Sequence, residues 1–252
     1  MYNFKNKTVW LIGASSGIGY HLLLRLLDTG AKVIASGRNL AKIEALVPQY
    51  SPEQLSIIFC DVTTPLSVIQ AKEYIQTKFE YIDTIIINAG ASYDAPSQQL
   101  CVQNILKNHA VNFNGMLYCL EAGLELLAAA PSPYIVATTS MAALIGMPRA
   151  EGYGSAKAAA RYMLQCLQSF LIRDNITLTI ITPGFVDTPL TKKNKFPMPF
   201  LLDAKAASFK ILKGMQRQQP EIIFPKRLWW LICTVNLLPK RLKILILSKL
   251  PR

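Results

Sequence analysis

A serine, a tyrosine and a lysine in the middle of the chain have the types and spacing needed to move a proton to a reacting oxygen. They are Ser140, Tyr153 and Lys157, within "ATTSMAALIGMPRAEGYGSAKAAARYML". A spacing of four residues at the start of a helical pattern puts Tyr153 and Lys157 on one helix face, one turn apart. A free tyrosine has a pKa of about 10, and a nearby ammonium would lower that pKa by favouring tyrosinate. We therefore expect Tyr153 to deliver the proton in a carbonyl reduction while Ser140 holds the carbonyl oxygen.

Such a pair also occurs as a surface tyrosine and lysine on an ordinary helix, so a second feature is needed. Gly13, Gly17 and Gly19 follow an apolar run and open a helical pattern. A turn of this kind lets the backbone approach a pyrophosphate, which the helix N-terminus attracts. The GxxxGxG spacing differs from the commoner GxGxxG, and a turn that serves only strand–helix packing is the alternative. We favour a dinucleotide site, which would also use the intervening Ser15, Ser16 and Ile18.

The end of the second apolar run indicates which dinucleotide is preferred. A site that prefers NAD usually carries an acid about 20 residues after the glycines, where it binds the ribose 2′-hydroxyl. This chain has Arg38 there, in "VIASGRN". An arginine binds a 2′-phosphate through two hydrogen bonds or stacks on adenine, although a merely solvated arginine is the alternative. The sequence predicts NADP(H) in preference to NAD(H).

Alternating apolar runs and helical patterns predict the framework that positions these residues. The strand candidates are β-branched and almost continuously hydrophobic, as in a parallel sheet buried on both faces; they cover 7–12, 31–36, 55–60, 83–87, 133–139 and 175–182. Helix candidates cover 17–29, 39–47, 65–79, 97–129 and 152–173. This alternation predicts an α/β fold, a doubly wound parallel (Rossmann) sheet in a single domain. The carboxyl ends of its strands border the ligand crevice, and we expect Ser140 to close the fifth strand and face Tyr153 there.

Over roughly residues 5–190 the chain resembles the short-chain dehydrogenases/reductases. Its glycine turn is similar to the family's TGxxxGxG, with Ile12 in place of threonine, and "INAG" is similar to NNAG, with Ile87 in place of the first asparagine. "VNFNG" resembles the family's NxxG segment, and the resemblance implies a catalytic role for Asn112 in a water-mediated proton relay. Asn112 would then complete a tetrad with Ser140, Tyr153 and Lys157.

The same resemblance implies further contacts with the cofactor. "CDVT" would meet the adenine through Asp61, and "TPGFVDT" would place Thr188 at the nicotinamide carboxamide. The implied contacts, beyond the glycine turn and Arg38, are Asp61, Val62, Asn88, Ala89, Gly90, Tyr153, Lys157, Pro183, Gly184, Val186 and Thr188.

Composition bears on the number of domains, on metal and disulfide sites, and on the location of the protein. The chain has 252 residues, enough for one large domain, and no polar linker divides it. His21 and His109 are isolated, so no metal site is predicted. Five cysteines without a CxxC pair predict buried thiols in a reducing compartment. The N-terminus enters a strand pattern directly, without a signal peptide, which favours a cytoplasmic location.

The charge is distributed unevenly. Residues 1–188 carry 13 Lys/Arg and 13 Asp/Glu, whereas residues 189–252 carry 14 Lys/Arg and only 2 Asp/Glu. We divide the chain into a catalytic domain, 1–225, in which 190–217 forms a substrate lid, and a basic amphipathic extension, 226–252. A helix is expected at 204–217 and a last strand at 221–224.

Three interpretations of the extension compete: a peripheral membrane anchor, a packing arm and a nucleic-acid site. Its apolar segment "LWWLICTVNLL" has eleven residues, too few to span a bilayer. Interleaved leucine and isoleucine disfavour nucleic acid, because phosphate contact does not need them. We favour the membrane surface, on the cytoplasmic face.

An apolar lid at 197–202 and a membrane location together favour an apolar, lipid-like carbonyl substrate. Two alternatives are oxidation of a lipophilic alcohol by the same residues and an NADP-binding scaffold without turnover. The resemblance implies a homodimer or homotetramer, and the apolar faces at 104–129 and 152–173 would suit the four-helix contact that members of the family commonly form.

Overall fold

The computed structural model describes residues 1–94, 100–194 and 196–249, and these build a parallel sheet covered by helices. The strands in chain order are β1 (Thr8–Ile12), β2 (Lys32–Gly37), β3 (Leu55–Phe59), β4 (Thr84–Ile87), β5 (Tyr134–Thr138), β6 (Thr177–Pro183), β7 (Val186–Asp187), β8 (Leu202–Asp203) and β9 (Glu221–Phe224). Seven of them form one sheet in the order β3-β2-β1-β4-β5-β6-β9, with every neighbouring pair parallel. The short strands β7 and β8 pair separately.

Helices lie between the strands and after the last of them. They are α1 (Gly17–Asp28), α2 (Ala41–Glu44), α3 (Pro65–Lys78), α4 (Val102–His109), α5 (Gly115–Leu127), α6 (Glu151–Leu171), α7 (Ala204–Gln216), α8 (Lys226–Leu237) and α9 (Lys240–Ser248). A π-helical segment, Ala110–Asn114, joins α4 to α5 without a break.

The strand order places a ligand crevice at one point of the sheet. From β1 the chain proceeds outward through β2 and β3, then returns to the other side of β1 through β4, β5 and β6. In such sheets ligands bind outside the carboxyl ends of the strands where the direction reverses. Ile12, the last residue of β1, pairs with Ser36 on one side and Ile87 on the other. The predicted doubly wound, single-domain α/β fold is confirmed.

Two hydrophobic layers hold the helices against the sheet. All five residues of β1 are buried, and successive side chains of a strand point to opposite faces. Val9 and Leu11 accordingly pack in a cluster with α1 and α7, whereas Trp10 and Ile12 pack in another with α3, α5 and α6. Burial on both faces explains why the strands are continuously apolar.

Several predicted boundaries are wrong by a few residues. The helix expected at 39–47 is limited to Ala41–Glu44, and a short 3₁₀ turn, Val47–Gln49, follows it. The strand expected from 175 begins at Thr177, because Asn175 has a left-handed conformation, with φ 56°. In the region expected to be helical from 97, α4 begins at Val102, and residues 97–99 lie outside the described ones.

The basic extension consists of two surface helices. Helix α8 buries Leu228 and Ile232 against Met141 and Ile145, and α9 buries none of its residues. Among the described residues, no helix has the length and hydropathy that crossing a bilayer would require.

Candidate active site

The glycine turn is held tightly against the end of β4. Gly13 has a φ of 85°, and a Cβ there would lie 2.7 Å from the backbone nitrogen of Ala89. A Cβ on Gly19 would overlap the carbonyl oxygen of Gly13. The amide of Asn88 donates a hydrogen bond to that same oxygen, at 3.3 Å. The "INAG" segment therefore supports the turn, and both glycines are required by close packing.

The start of α1 fits a phosphate group. Ser16 precedes the helix in extended conformation without capping it, and the first turn of this fully described helix carries no acid. The first amide groups of such a helix lack intrahelical acceptors, and they attract anions. Gly17, with φ 53°, keeps the backbone free of a side chain at this point. The donor set thus suits the pyrophosphate of a dinucleotide.

A cleft of about 290 Å³ extends over the carboxyl ends of the strands from this turn. The predicted residues that line it are Gly13, Ser15, Ser16, Gly17, Ile18, Arg38, Asp61, Val62, Asn88, Ala89, Gly90, Ser140, Tyr153, Lys157, Pro183, Gly184, Val186 and Thr188. Two predicted residues, Gly19 and Asn112, are not part of its lining.

Sequence reasoning missed other parts of the lining, which include Ile12, Gly37, Asn39, Cys60, Val111, Thr138, Thr139, Pro189, Leu190 and Thr191. Thr138 and Thr139 carry a usable signal, because they precede Ser140 at a strand end. The residues after Thr188 carry none, because only the folded loop brings them to the cleft.

Asp61 is fixed by its own loop. Its carboxylate oxygen Oδ1 accepts hydrogen bonds from the backbone nitrogen of Thr63, at 3.0 Å, and from the Thr63 hydroxyl, at 2.8 Å. These bonds hold the carboxylate at the wall of the cleft, which the exposed Arg38 also lines.

Ser140 lies just beyond β5 rather than in it. The strand ends at Thr138, and Ser140 is the extended residue that caps a short 3₁₀ turn, Met141–Ala143. Its hydroxyl oxygen accepts a hydrogen bond from the backbone nitrogen of Ala142, at 3.1 Å. The expectation that Ser140 closes the fifth strand is therefore wrong by two residues, and the cap orients the hydroxyl.

Tyr153 occupies the first turn of α6, where it is half-buried. Burial raises the pKa of its phenol, and a hydrogen-bonding interaction with the Ser140 side chain opposes that rise without cancelling it. In the protein alone this pKa is therefore raised, because desolvation disfavours the charged phenolate; a lowering by the ammonium together with an oxidised nicotinamide stays a prediction.

Lys157 is almost completely buried, with 2% of its surface exposed. Its Nζ donates a hydrogen bond to the carbonyl oxygen of Thr138, at 2.8 Å. Burial lowers the pKa of this amine to about 8. Near neutral pH, Lys157 is consequently close to its point of deprotonation.

Asn112 lies in the π-helical segment behind the cleft, fully buried. Its amide nitrogen donates to the carbonyl oxygens of Ala91, at 2.7 Å, and Asn108, at 2.9 Å. A Cβ on Gly90 would lie 3.2 Å from the Asn112 Oδ1 and 3.7 Å from the Lys157 Nζ. Because Gly90 has no side chain, the space beside both of these atoms stays free at this residue. The water relay through Asn112 stays a prediction.

A second cavity, of about 550 Å³, meets the cleft at the candidate catalytic residues. Ser140 and Tyr153 line both spaces. The walls of the second cavity are largely apolar and include Met141, Ile145, Phe196, Leu228, Ile232 and Val235. At its polar side, Arg149 and Asp94 form an ion pair of 3.1 Å. An apolar molecule in this cavity can reach the phenol.

The chain matches the family model of the short chain dehydrogenases over residues 7–197. It belongs to the short-chain dehydrogenase family. This assignment makes it an oxidoreductase with a nucleotide-binding fold, and it confirms the resemblance seen in the sequence. The replacements at Ile12 and Ile87 are both accommodated as buried strand residues.

Curated relatives in the short-chain dehydrogenase family have modest identity. An uncharacterized oxidoreductase of Myxococcus xanthus is 28% identical over 230 residues, 90% of this chain and 91% of that protein. An uncharacterized oxidoreductase of Staphylococcus saprophyticus is 32% identical over 193 residues, 76% of this chain and 78% of that protein. Mouse dehydrogenase/reductase SDR family member 7B is 28% identical over 74% of this chain and 60% of its own length.

Solved structures share the short-chain dehydrogenase fold. A short chain dehydrogenase/reductase from Burkholderia phymatum in complex with NAD superposes with a TM-score of 0.84 and 16% identity, covering 94% of this chain and 95% of that one. The Pseudomonas aeruginosa RhlG/NADP active-site complex has a TM-score of 0.69 and 22% identity, covering 76% and 78%.

Other kinds of site receive no support. In the described part of the chain, no three His, Cys, Asp or Glu side chains are grouped to hold a metal ion. All five cysteines are free thiols. Cys60 and Cys119 are buried whereas Cys166 is exposed, so the expectation of buried thiols is wrong for Cys166.

Proposed function

We propose that this short-chain dehydrogenase uses NADP(H) to reduce a ketone or aldehyde on an apolar, lipid-like molecule. The observation that carries the proposal is the meeting of the polar cleft and the apolar cavity at Ser140 and Tyr153. The dinucleotide complexes of the Burkholderia and Pseudomonas neighbours are consistent with a nicotinamide cofactor in the cleft. When bound, that cofactor supplies the hydride.

The remaining chemistry belongs to the side chains. Because burial raises its pKa, Tyr153 is a protonated phenol near neutral pH and can donate its proton to a developing alkoxide. The Ser140 hydroxyl would hold the carbonyl oxygen and stabilise charge there. Lys157 holds a positive charge beside the phenol below about pH 8, which favours the tyrosinate that remains after transfer.

The preference for NADP(H) is argued from Arg38. The residue is exposed at the cleft, directly after the buried Gly37 that ends β2. A guanidinium there can bind a 2′-phosphate through two hydrogen bonds. An acidic residue in this place would instead favour the free ribose 2′-hydroxyl of NAD(H).

A preference for apolar molecules is argued from the second cavity. Its volume of about 550 Å³ falls within the usual range for small-molecule sites. A flexible methionine, Met141, lies beside the Ser140 end of the wall, and methionine adapts to varied chains. Oxidation of an apolar alcohol by the same residues is the reverse of this reaction.

An NADPH-consumption assay with carbonyl compounds of increasing alkyl length tests the proposal. We expect turnover with NADPH, kcat/KM that rises with chain length, and a weaker response with NADH. NADPH binding without turnover, in either direction, across carbonyl and alcohol series would support a scaffold instead. Turnover confined to alcohols with NADP⁺ would reverse the assigned direction.

The proposal includes a cytoplasmic homodimer or homotetramer that does not bind nucleic acid. The free thiols are consistent with a reducing compartment. Large exposed side chains on packed helices, Leu106 of α4 and Tyr162 and Phe170 of α6, support a contact between subunits. Light scattering on the wild type and Tyr162→Asp tests it: we expect dissociation in the variant.

A further inference from the structure

The surface formed by α8 and α9 exposes large apolar side chains that the protein itself does not cover. On α8, Trp230 is 61% exposed and Leu237 is 86% exposed. On α9, Ile244 and Leu245 are 58% and 55% exposed. A nine-residue helix with no buried residue gains little stability from packing on its own core, since helix stability in proteins comes mainly from such packing. We call this surface the α8–α9 face.

Hydrogen bonds fix the orientation of the α8–α9 face. The amide nitrogen of Asn236, on α8, donates to the carbonyl oxygen of Leu144, at 2.9 Å. The Lys243 ammonium, on α9, donates to Oδ1 of the same asparagine, at 2.7 Å. In addition, Leu247 packs against the cluster around Met141. The two helices are therefore anchored with their apolar side chains outward.

The positive charge of α8 and α9 indicates an anionic partner. Residues 226–249 contain six lysines and arginines and no acid. The ion pairs found among the described residues involve none of these six cations. An apolar surface edged by unneutralised cations is complementary to anionic headgroups over an acyl layer. The Trp229–Trp230 pair, with ring centroids 4.7 Å apart, suits the level of the headgroups.

The α8–α9 face also borders the apolar cavity. Leu231 and Ile246 line that cavity and are 52% and 38% exposed, so the cavity reaches the surface beside them. Pro197 and Pro199 also line the cavity and are exposed. Deeper in the cavity, Leu228 and Ile232 are buried. An apolar path therefore runs from the outside of α8 and α9 to the phenol of Tyr153.

We infer that the α8–α9 face docks on an anionic lipid bilayer and turns the mouth of the apolar cavity, at Leu231 and Ile246, toward the lipid. Docking is a property of the surface alone, whereas delivery of a substrate from the bilayer rests on the proposed function. Without docking, an apolar substrate would have to leave the bilayer and cross water to reach the cavity. Docking removes that step.

Flotation of the full chain with vesicles tests the docking directly. We expect the wild type to float with phosphatidylcholine vesicles that contain phosphatidylglycerol, less with pure phosphatidylcholine, and less again as salt is raised, because salt screens the cations. The double variant Ile244→Asp/Leu245→Asp should lose binding at least about tenfold, since two apolar side chains no longer enter the acyl boundary. Neither residue lines the cleft or the cavity.

Leu66→Asp is the matched control, because Leu66 is 61% exposed on α3, away from this face; it should float like the wild type. Brominated phosphatidylglycerol should quench the tryptophan fluorescence of the wild type, and Trp230→Phe should reduce that quenching. The inference is overturned if the wild type does not float at low salt, if the double variant floats normally, or if that variant only converts an oligomer to a monomer, which would show that a second copy covers the face.

A turnover measurement separates this inference from the proposed function. Anionic vesicles should raise the rate for a bilayer-dissolved long-chain carbonyl and leave the rate for a short soluble carbonyl unchanged. Flotation without any turnover would keep the docking and reject the proposed reaction. Turnover without flotation would reject the docking and keep the reaction.

Discussion

The buried Nζ of Lys157 donates a hydrogen bond to the carbonyl oxygen of Thr138, at 2.8 Å, and so ties the first turns of α6 to the carboxyl end of β5. Ser140 follows two residues after that carbonyl, and Tyr153 precedes the lysine by one helical turn. One bond thereby joins the two segments that carry the candidate catalytic hydroxyls. The Lys157 amine therefore links the two segments through a hydrogen bond and also carries a charge, and burial lowers its pKa.

The lowered pKa of Lys157 predicts a dependence of stability on pH. Between about pH 8, its folded value, and 10.5, its ordinary value, the unfolded chain holds a proton that the folded chain has released. The free energy of unfolding should therefore rise with pH in that window, on the order of 3 kcal/mol in total.

Urea unfolding of the cofactor-free protein at several pH values measures this effect. Lys157→Met is the reference, because methionine does not titrate. Both proteins should carry Tyr153→Phe, since the raised pKa of the phenol acts in the opposite direction above pH 10. Parallel stability curves for the two proteins would contradict the prediction.

Tyr153→Phe removes the proposed proton donor and keeps the ring. We expect kcat for carbonyl reduction to fall by about 10²- to 10⁴-fold, the usual contribution of a positioned acid, while NADPH affinity changes little. Stopped-flow turnover and a fluorescence titration with NADPH measure the two quantities. Tyr74→Phe, on α3 and outside the lining of the cleft and the cavity, should behave like the wild type; a Tyr153→Phe enzyme of normal rate would refute the donor role.

Arg38→Ala tests the preference for NADP(H). Loss of a charged hydrogen bond costs about 1.5–3 kcal/mol, so affinity for NADPH should fall roughly 10- to 100-fold while affinity for NADH stays the same. Lys32→Ala is the control, because Lys32 is an exposed cation at the other end of the same strand. Equal losses for both dinucleotides would remove the assigned contact with the 2′-phosphate.

Gly19→Ala should damage the glycine turn. Its Cβ would overlap the Gly13 carbonyl oxygen and lie 2.7 Å from the amide nitrogen of Asn88; we expect a loss of about 1–3 kcal/mol in unfolding free energy together with weaker dinucleotide binding. Gly146→Ala is matched, since nothing lies within 4 Å of a Cβ there, and should change stability by less than about 0.5 kcal/mol. Thermal melts compare the two, and similar melting temperatures would count against tight packing at Gly19.

The sheet was predictable from sequence because its strands are buried on both faces. Continuous β-branched runs are a local signal, and β9 has the predicted bounds, Glu221–Phe224. Helix ends were less predictable, because a single left-handed residue such as Asn175, with φ 56°, decides where one ends.

The candidate site also has a part that was predictable from sequence and a part that was not. Glycines and strand ends indicated most of the cleft lining, since spacing along the chain specifies where they go. The direction of the Tyr153 pKa was not predictable, because burial depends on the assembled fold. Contacts between α8 and Met141, which complete the apolar cavity, join residues about ninety positions apart and leave no local pattern.

The match to the family ends at residue 197, whereas α8 and α9, which wall the apolar cavity, lie beyond it. One wall of the apolar cavity is therefore supplied from outside the stretch that carries Ser140, Tyr153 and Lys157. Exchange of the stretch from Lys226 onward would change Leu228, Leu231, Ile232, Val235, Ile246 and Leu247 of the cavity wall and leave every residue of the cleft lining as it is.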